Sequence, residues 1–367
     1  MKKLLLPALL ASVLFSSAQL TSLPSGGNKK AFVGERIGLT DVTIHYDRPA
    51  VKGRDGKIWG ELVHKGFVDQ QFGSSKAAPW RAGANESTTI EFSTPVTIEG
   101  KDLPAGKYGF FIAYDPDAST IIFSKNSIAW GSYYYDEKDD ALRVQVKPVA
   151  LDKSVERLKY EFLDQTENTA TIALLWEKLM IPFKVEVNYK QTQIETFRKE
   201  LQTDKGFTWS TWDQAARWCA QNEINLEQAL QWTDSSTGPY FGGEKNFQAW
   251  TTRAMVLEKL NRGTKASEIM KKAMTFGNTL DIHLYGRQLL AQKKPKEALE
   301  VFKFNYNKNP KDFTTLVGMA RGLSANGDLK GALKYANQAL PLAIDDQNKG
   351  SVQTMIDKLK SGKDANQ

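Results

Sequence analysis

From residue 24 to 190 apolar side chains alternate with polar ones over short runs bounded by Gly, Pro, Asp and Asn, the two-residue period of strands with one buried face. Val42, Ile44 and Tyr46 share one side, Ile90 and Phe92 repeat the pattern, and Val96 and Ile98 follow. The stretch from Gly100 to Gly106 is a tight connection into Tyr108–Tyr114, which predicts a hairpin. Runs at 120–124, 142–147, 158–162, 169–176 and 183–189 bring the total to about nine strands. Strands at this spacing predict an all-β antiparallel sandwich or a jelly-roll-like barrel over 24–190. Segment 65–78 carries neither period and reads as a long surface loop. After residue 190 the period becomes helical: a linker over 191–207, helices over 208–361 and a disordered tail over 362–367.

Within the helical half, Gly286-Arg287 and Ala320-Arg321 recur at a spacing of 34 residues, as do Ala298-Leu299 and Ala332-Leu333. These features resemble the tetratricopeptide repeat, which sets small residues where two helices cross and a large one where the next repeat stacks. Phe302 fits the large position; Ala336 occupies it in the following copy. Ala254 with Ala266, Met270 and Ala273 forms a degenerate repeat, and Ala216 with Ala229 and Trp232 begins another. A single repeat leaves its apolar face uncovered, so three or four stacked pairs are expected, an all-α solenoid.

The chain opens with Lys2 and Lys3, an apolar run from Leu4 to Phe15, and small residues before Gln19. That is the order of a secretory signal peptide over 1–18, shorter than a membrane span, and it predicts an exported mature chain without a transmembrane segment. The formal charge of +7 lies mostly in the helical half. It is spread along helices rather than clustered, which argues against nucleic acid as a partner. Cys219 is the single cysteine, set in an apolar helix, and the three histidines are dispersed without ligand spacing. No metal site, phosphate loop or nucleophile elbow is present in the sequence, and no cofactor is expected.

The densest chemistry is Pro79-Trp80-Arg81-Ala82-Gly83-Ala84-Asn85-Glu86, an indole, a guanidinium, an amide and a carboxylate in one turn-like segment before a strand. With Arg48 and Arg54 it forms a candidate ligand site: Trp80 as a flat wall, Arg81 with Arg48 or Arg54 as a clamp for an acidic or polyhydroxylated group, Asn85 and Glu86 as polar contacts. Arg81 paired with Glu86, and Asn85 capping its own turn, would make the same segment an internal staple. For acid or base work, Asp47 or Asp136 would have to stand beside Glu86. Trp130, Tyr133, Tyr134 and Tyr135 form a second aromatic group, suited either to closing the end of the core or to holding a sugar face. Arg287 and Arg321 hold equivalent places on first helices of adjacent repeats and fit an acidic peptide or terminal carboxylate.

Residues 43–49, 51–54, 58–60, 80–90 and 103–109, with Trp130-Gly131, Tyr135, Asp140, Arg143-Val144 and Trp176-Glu177, resemble the domain of unknown function 2911, over roughly Pro24 to Tyr189. The resemblance implies an exported β domain in the Gram-negative envelope, periplasmic or secreted, followed by a tetratricopeptide-like region, with no established activity. The sequence therefore predicts an exported binding protein: a β domain holding a small polar or acidic ligand or glycan, joined to repeats that dock a protein or peptide. An envelope hydrolase using Glu86 as acid or base, and a non-catalytic scaffold, are the alternatives.

Overall fold

In the computed structural model, which describes residues 27–367, every named strand pair is antiparallel. The leader expected at 1–18 lies outside the described residues. Strands β1 (Lys29–Ile37), β2 (Thr40–Arg48), β3 (Thr88–Phe92), β6 (Gly106–Ala113), β7 (Ser119–Ser124) and β8 (Asp140–Val146) form one sheet in the order β1-β2-β3-β6-β7-β8. The second sheet runs β5 (Lys101–Leu103), β4 (Val96–Ile98), β10 (Thr169–Glu186), β9 (Val149–Leu163). Both sheets stay open, so the layered alternative is realised and the barrel is not.

The period-two pattern explains the core. Val33, Ile44, Ile90 and Tyr108 lie in one cross-strand row of the first sheet. The rings of Phe110 on β6 and Phe183 on β10 meet at 5.5 Å, joining sheet to sheet. Both are fully buried, each worth roughly 1.5–3 kcal/mol of apolar burial. The outward row, Phe32, His45 and Thr89, includes the exposed His45 expected from the alternation.

Three elements differ from the sequence reading. Strand β1 was not foreseen, because its alternation is mostly exposed. Residues 101–103 are a short edge strand inside the expected connection. The two runs from 169 to 189 are one long strand, interrupted by register shifts around Glu177, whose backbone φ is 51°. A bulge of this kind re-aims the strand without ending it.

The chain divides into two units between Gln193 and Ile194, inside helix α1 (Tyr189–Glu200). Where a linker was expected over 191–207, the backbone is therefore largely helical, with Ile194 buried beside Ala216, Cys219 and Trp232. Nine further helices follow: α2 (Trp209–Asn222), α3 (Leu226–Thr237), α4 (Phe247–Lys259), α5 (Gly263–Phe276), α6 (Thr279–Ala291), α7 (Pro295–Lys308), α8 (Phe313–Ala325), α9 (Leu329–Ala339) and α10 (Asp346–Lys360). They pack as consecutive pairs, α2 with α3, α4 with α5, α6 with α7 and α8 with α9. Phe302 is fully buried; at Ala336, where the repeat pattern loses its large residue, Val352, Met355 and Ile356 of α10 complete the core. Cys219 is buried, and desolvation pushes its thiol pKa up to about 11, which leaves it protonated and inert. The terminal segment is ordered on α8 rather than loose. The Ser324 hydroxyl donates to Asp364 at 2.6 Å, and the Asn366 amide donates to the Arg321 carbonyl at 3.0 Å. No helix among the described residues is long and apolar enough to cross a membrane.

Candidate functional site

The segment from Pro79 to Glu86 is fixed at both ends by its backbone. Trp80 exchanges hydrogen bonds with Ile112 of β6 at 3.0 and 2.9 Å. Ala82 then takes a left-handed φ of 50°, a conformation that costs a side chain of order 1–3 kcal/mol unless its surroundings enforce it. They do: the Ala82 carbonyl accepts from the Tyr160 hydroxyl at 2.7 Å and from Thr88 at 3.1 Å. Gly83 is required next, since a Cβ there would stand 2.6 Å from the Thr88 hydroxyl oxygen. The turn therefore delivers Trp80, Arg81 and Asn85 to one place.

Trp80 stacks on Trp176 at 6.1 Å and 18°, and Trp59 stands edge-on to both. The Trp80 indole N–H donates to the Gly83 carbonyl at 3.2 Å. Arg81 lies over the Tyr133 ring at 4.9 Å and donates to the Asn85 carbonyl at 2.6 Å. Arg54 is hooked to its own turn, donating to the Val51 and Ala50 carbonyls at 2.9 and 2.7 Å. Asn85 accepts from Asn28 at 3.3 Å.

Arg54, Trp80, Arg81 and Asn85 line one cavity of about 320 Å³ together with Asn28, His64, Gln70 and Trp176. Three of these bring polar atoms without a partner among the described residues: both ring nitrogens of His64, Oε1 of Gln70 and Nε1 of Trp176. Trp176 is only 1% exposed, so its free N–H is a desolvated donor of the kind that a ligand or ordered water satisfies. Gln70 is oriented by its amide, which donates to Ser132 at 3.1 Å. Burial lowers the His64 pKa, and the adjacent backbone of Lys65 and Gly66 only partly offsets this, so the ring is neutral near pH 7. No carboxylate lines the cavity. Two guanidiniums, an indole donor and a neutral imidazole make a surface complementary to an anion.

Two predicted members stand elsewhere. Arg48, at the end of β2, donates to the Leu158 carbonyl at 2.8 Å and serves to tie β2 to β9. Glu86 is held through both oxygens by Lys30, at 2.6 and 2.7 Å, and lines a separate open cavity with Asp47. Asn85, at φ 56°, turns the chain between the two cavities. The Arg81–Glu86 pair is therefore not made. Asp136 caps a helical turn by accepting from the Lys138 backbone at 3.0 Å and lines a cavity that Glu86 does not. His64, Gln70 and Trp176 escaped the sequence reading, the first two because they sit in aperiodic loop, the third because it reads as a core strand residue.

The aromatic group at 130–135 splits. Tyr135 is buried, donating to Asp140 at 2.7 Å and accepting from Arg143 at 2.7 Å. Tyr133 supports Arg81, while Trp130 and Tyr134 are exposed.

In the helical unit Arg287 on α6 and Arg321 on α8 act electrostatically on the same imidazole. Burial first, then the charges of Arg321 and Arg287, push His283 down to about 4. Arg321 is itself lowered by burial and by Arg287; its Nη1 donates to Asn366 at 3.3 Å and its Nε has no partner among the described residues.

Residues 28–185 match the family model described as protein of unknown function DUF2911. No curated protein matches the sequence. The chain is also similar to several solved structures. One is YrrB, a TPR protein with an unusual peptide-binding site, at 18% identity over 47% of this chain and 88% of that one, with a TM-score of 0.28. Another is MamA from Desulfovibrio magneticus RS-1, at 16% over 42% and 88%, with a TM-score of 0.27. The Cut9–Hcn1 hetero-tetramer of the APC/C matches at 15% over 47% and 35%, with a TM-score of 0.28.

Proposed function

We propose that the β unit, whose residues 28–185 fit a family of unknown function, is a receptor for a small acidic ligand, and that the helical unit docks a protein or peptide partner. One observation carries the first part: Arg54, Arg81, His64, Gln70 and Trp176 converge on a single cavity with unsatisfied donors and no acidic wall. Both arginines have their guanidiniums anchored by carbonyls, so the clamp is preorganised and little side-chain entropy opposes binding. Trp80 and Trp176 would give the ligand a flat wall, and Gln70 Oε1 an acceptor for a hydroxyl. The lysine-bound Glu86 lies outside this cavity, which weighs against the hydrolase alternative. The charged start and apolar run of residues 2–15 support export of this receptor.

Calorimetric titration of the full chain with citrate, succinate and inorganic phosphate tests the reading. At least one should bind saturably, and Arg54→Met and Arg81→Met should each weaken it by about tenfold or more. Absence of saturable binding by all three, or affinity unchanged in both variants, would overturn it.

A further inference from the structure

The outer face of the six-stranded sheet holds a second cavity, of about 550 Å³, whose chemistry is unlike that of the arginine cavity. Its floor is the cross-strand row of Phe32, His45 and Thr89, on which the Phe32 ring stacks against the imidazole at 5.7 Å and 26°. One wall is the segment 127–130. That segment comes close because β6 has a glycine at 109: a Cβ there would stand 2.4 Å from the Asn126 carbonyl oxygen. Two rings face water across this floor, Phe32 at 74% and Trp130 at 54% exposure, although neither supports the core. Exposed large rings flanking a cavity mark a contact surface.

The end of the groove is polar and partly unsatisfied. Asp47 is 3% exposed, and its Oδ1 has no hydrogen-bond partner among the described residues. Glu86 stands beside it, held by Lys30, and Lys107 also lines the cavity. A buried acceptor without a donor costs roughly 1–3 kcal/mol, and a ligand hydroxyl would relieve it. The charges decide the ligand class. Lys30 and Lys107 balance Asp47 and Glu86, so the groove has no net field to select an ion. Rings for an apolar face, and carboxylate oxygens for hydroxyl edges, are the two demands of a pyranose. A partner strand is the poorer fit, since strand addition uses the in-plane edge of a sheet, whereas this groove lies on its face.

We propose that this groove binds a neutral oligosaccharide, with a sugar ring lying on Trp130 and Phe32 and hydroxyls donated to Asp47 and Glu86. The site stands independently of the acidic-ligand reading. The experiment is calorimetric titration of the full chain with cellotetraose, chitotetraose and maltotetraose, and with tetragalacturonate as the charged counterpart. At least one neutral sugar should bind saturably at millimolar concentration or below. Trp130→Ala, at an exposed position that leaves folding intact, should weaken it by about tenfold, as should Asp47→Asn, while Arg81→Met should leave it unchanged. No saturable binding by any neutral sugar, binding of tetragalacturonate alone, or affinity unaltered by Trp130→Ala would overturn the proposal.

Discussion

Arg81 sits where a side chain on residue 131 would have to be: a Cβ at Gly131 would lie 2.4 Å from the guanidinium carbon. The missing side chain on one side and the Tyr133 ring on the other explain how a cation is held flat at a cavity wall. This much was legible in the sequence, because Trp80, Arg81 and Asn85 are crowded into one turn. The company they keep was not. Trp176 joins Trp80 only through the pairing of two sheets, and Glu86 leaves because Asn85 is left-handed, a property that Asn permits but does not announce. At the same scale, His283 gives a pH prediction. With its pKa near 4 when folded, against 6.5 ordinarily, the native state binds fewer protons than the unfolded chain between those values. Stability must then fall as pH drops from about 6.5 to 4, by up to roughly 3 kcal/mol from this group. Urea unfolding at several pH values should show that loss, and His283→Gln should remove most of it. An equal acid loss in wild type and variant would show that folding does not lower the His283 pKa.

Among the elements, the long strand β10 and the helix pair α6–α8 show opposite degrees of legibility. Strand β10 reads as two runs, because the bulge at Glu177 breaks the period where Trp176 must meet Trp80 and Trp59. The bulge is stabilised by backbone donors, Gly56 at 3.1 Å and Lys178 at 2.8 Å onto the Glu177 carboxylate, and a carboxylate in mid-strand gives no such hint. Strand β1 is invisible for a different reason: an edge strand with most side chains in water has no buried face to write a pattern. The repeats, by contrast, are partly legible: the 34-residue spacing marks Gly286 and Phe302 fits the large position, although Gly318 and Gly322 stand outside that pattern. Phe302 of α7 fills a socket of three glycines; a Cβ would come within 2.5 Å of its ring at Gly286, 2.7 Å at Gly318 and 2.8 Å at Gly322. Phe302→Ala should therefore destabilise the helical unit by about 3–5 kcal/mol, and Gly318→Ala by about 1–3 kcal/mol through overpacking. Urea unfolding followed by far-ultraviolet circular dichroism reads both. A Phe302→Ala cost below about 1 kcal/mol would mean that the socket collapses freely and the glycines have another purpose.

At the scale of the whole molecule, charge is unevenly shared between the units. The β unit is near neutral overall and concentrates cations in one cavity, whereas the helical unit carries most of the surplus positive charge. On its α6 and α8 helices, the charges of Arg321 and Arg287 disfavour protonation of His283, and that of Arg287 disfavours protonation of Arg321. Asp312 and Asp364 relieve that repulsion only in part, as lesser contributions to the shifts of His283 and Arg321. Two guanidiniums of like charge would be stabilised by an anionic partner, so the proposed docking role predicts that an acidic peptide binds at Arg287 and Arg321. A fluorescein-labelled peptide alternating Asp and Glu should bind the full chain with an affinity that falls as salt rises, because partly exposed charges are screened within about 10 Å at 0.1 M. Arg287→Glu with Arg321→Glu should weaken it by about tenfold or more, since reversal both removes attraction and adds repulsion. Arg54→Met with Arg81→Met should leave the peptide affinity as it is. Equal loss from both pairs of variants would mean that the peptide reads net charge rather than a site. An unchanged affinity in the reversed pair would place the docking surface away from α6 and α8.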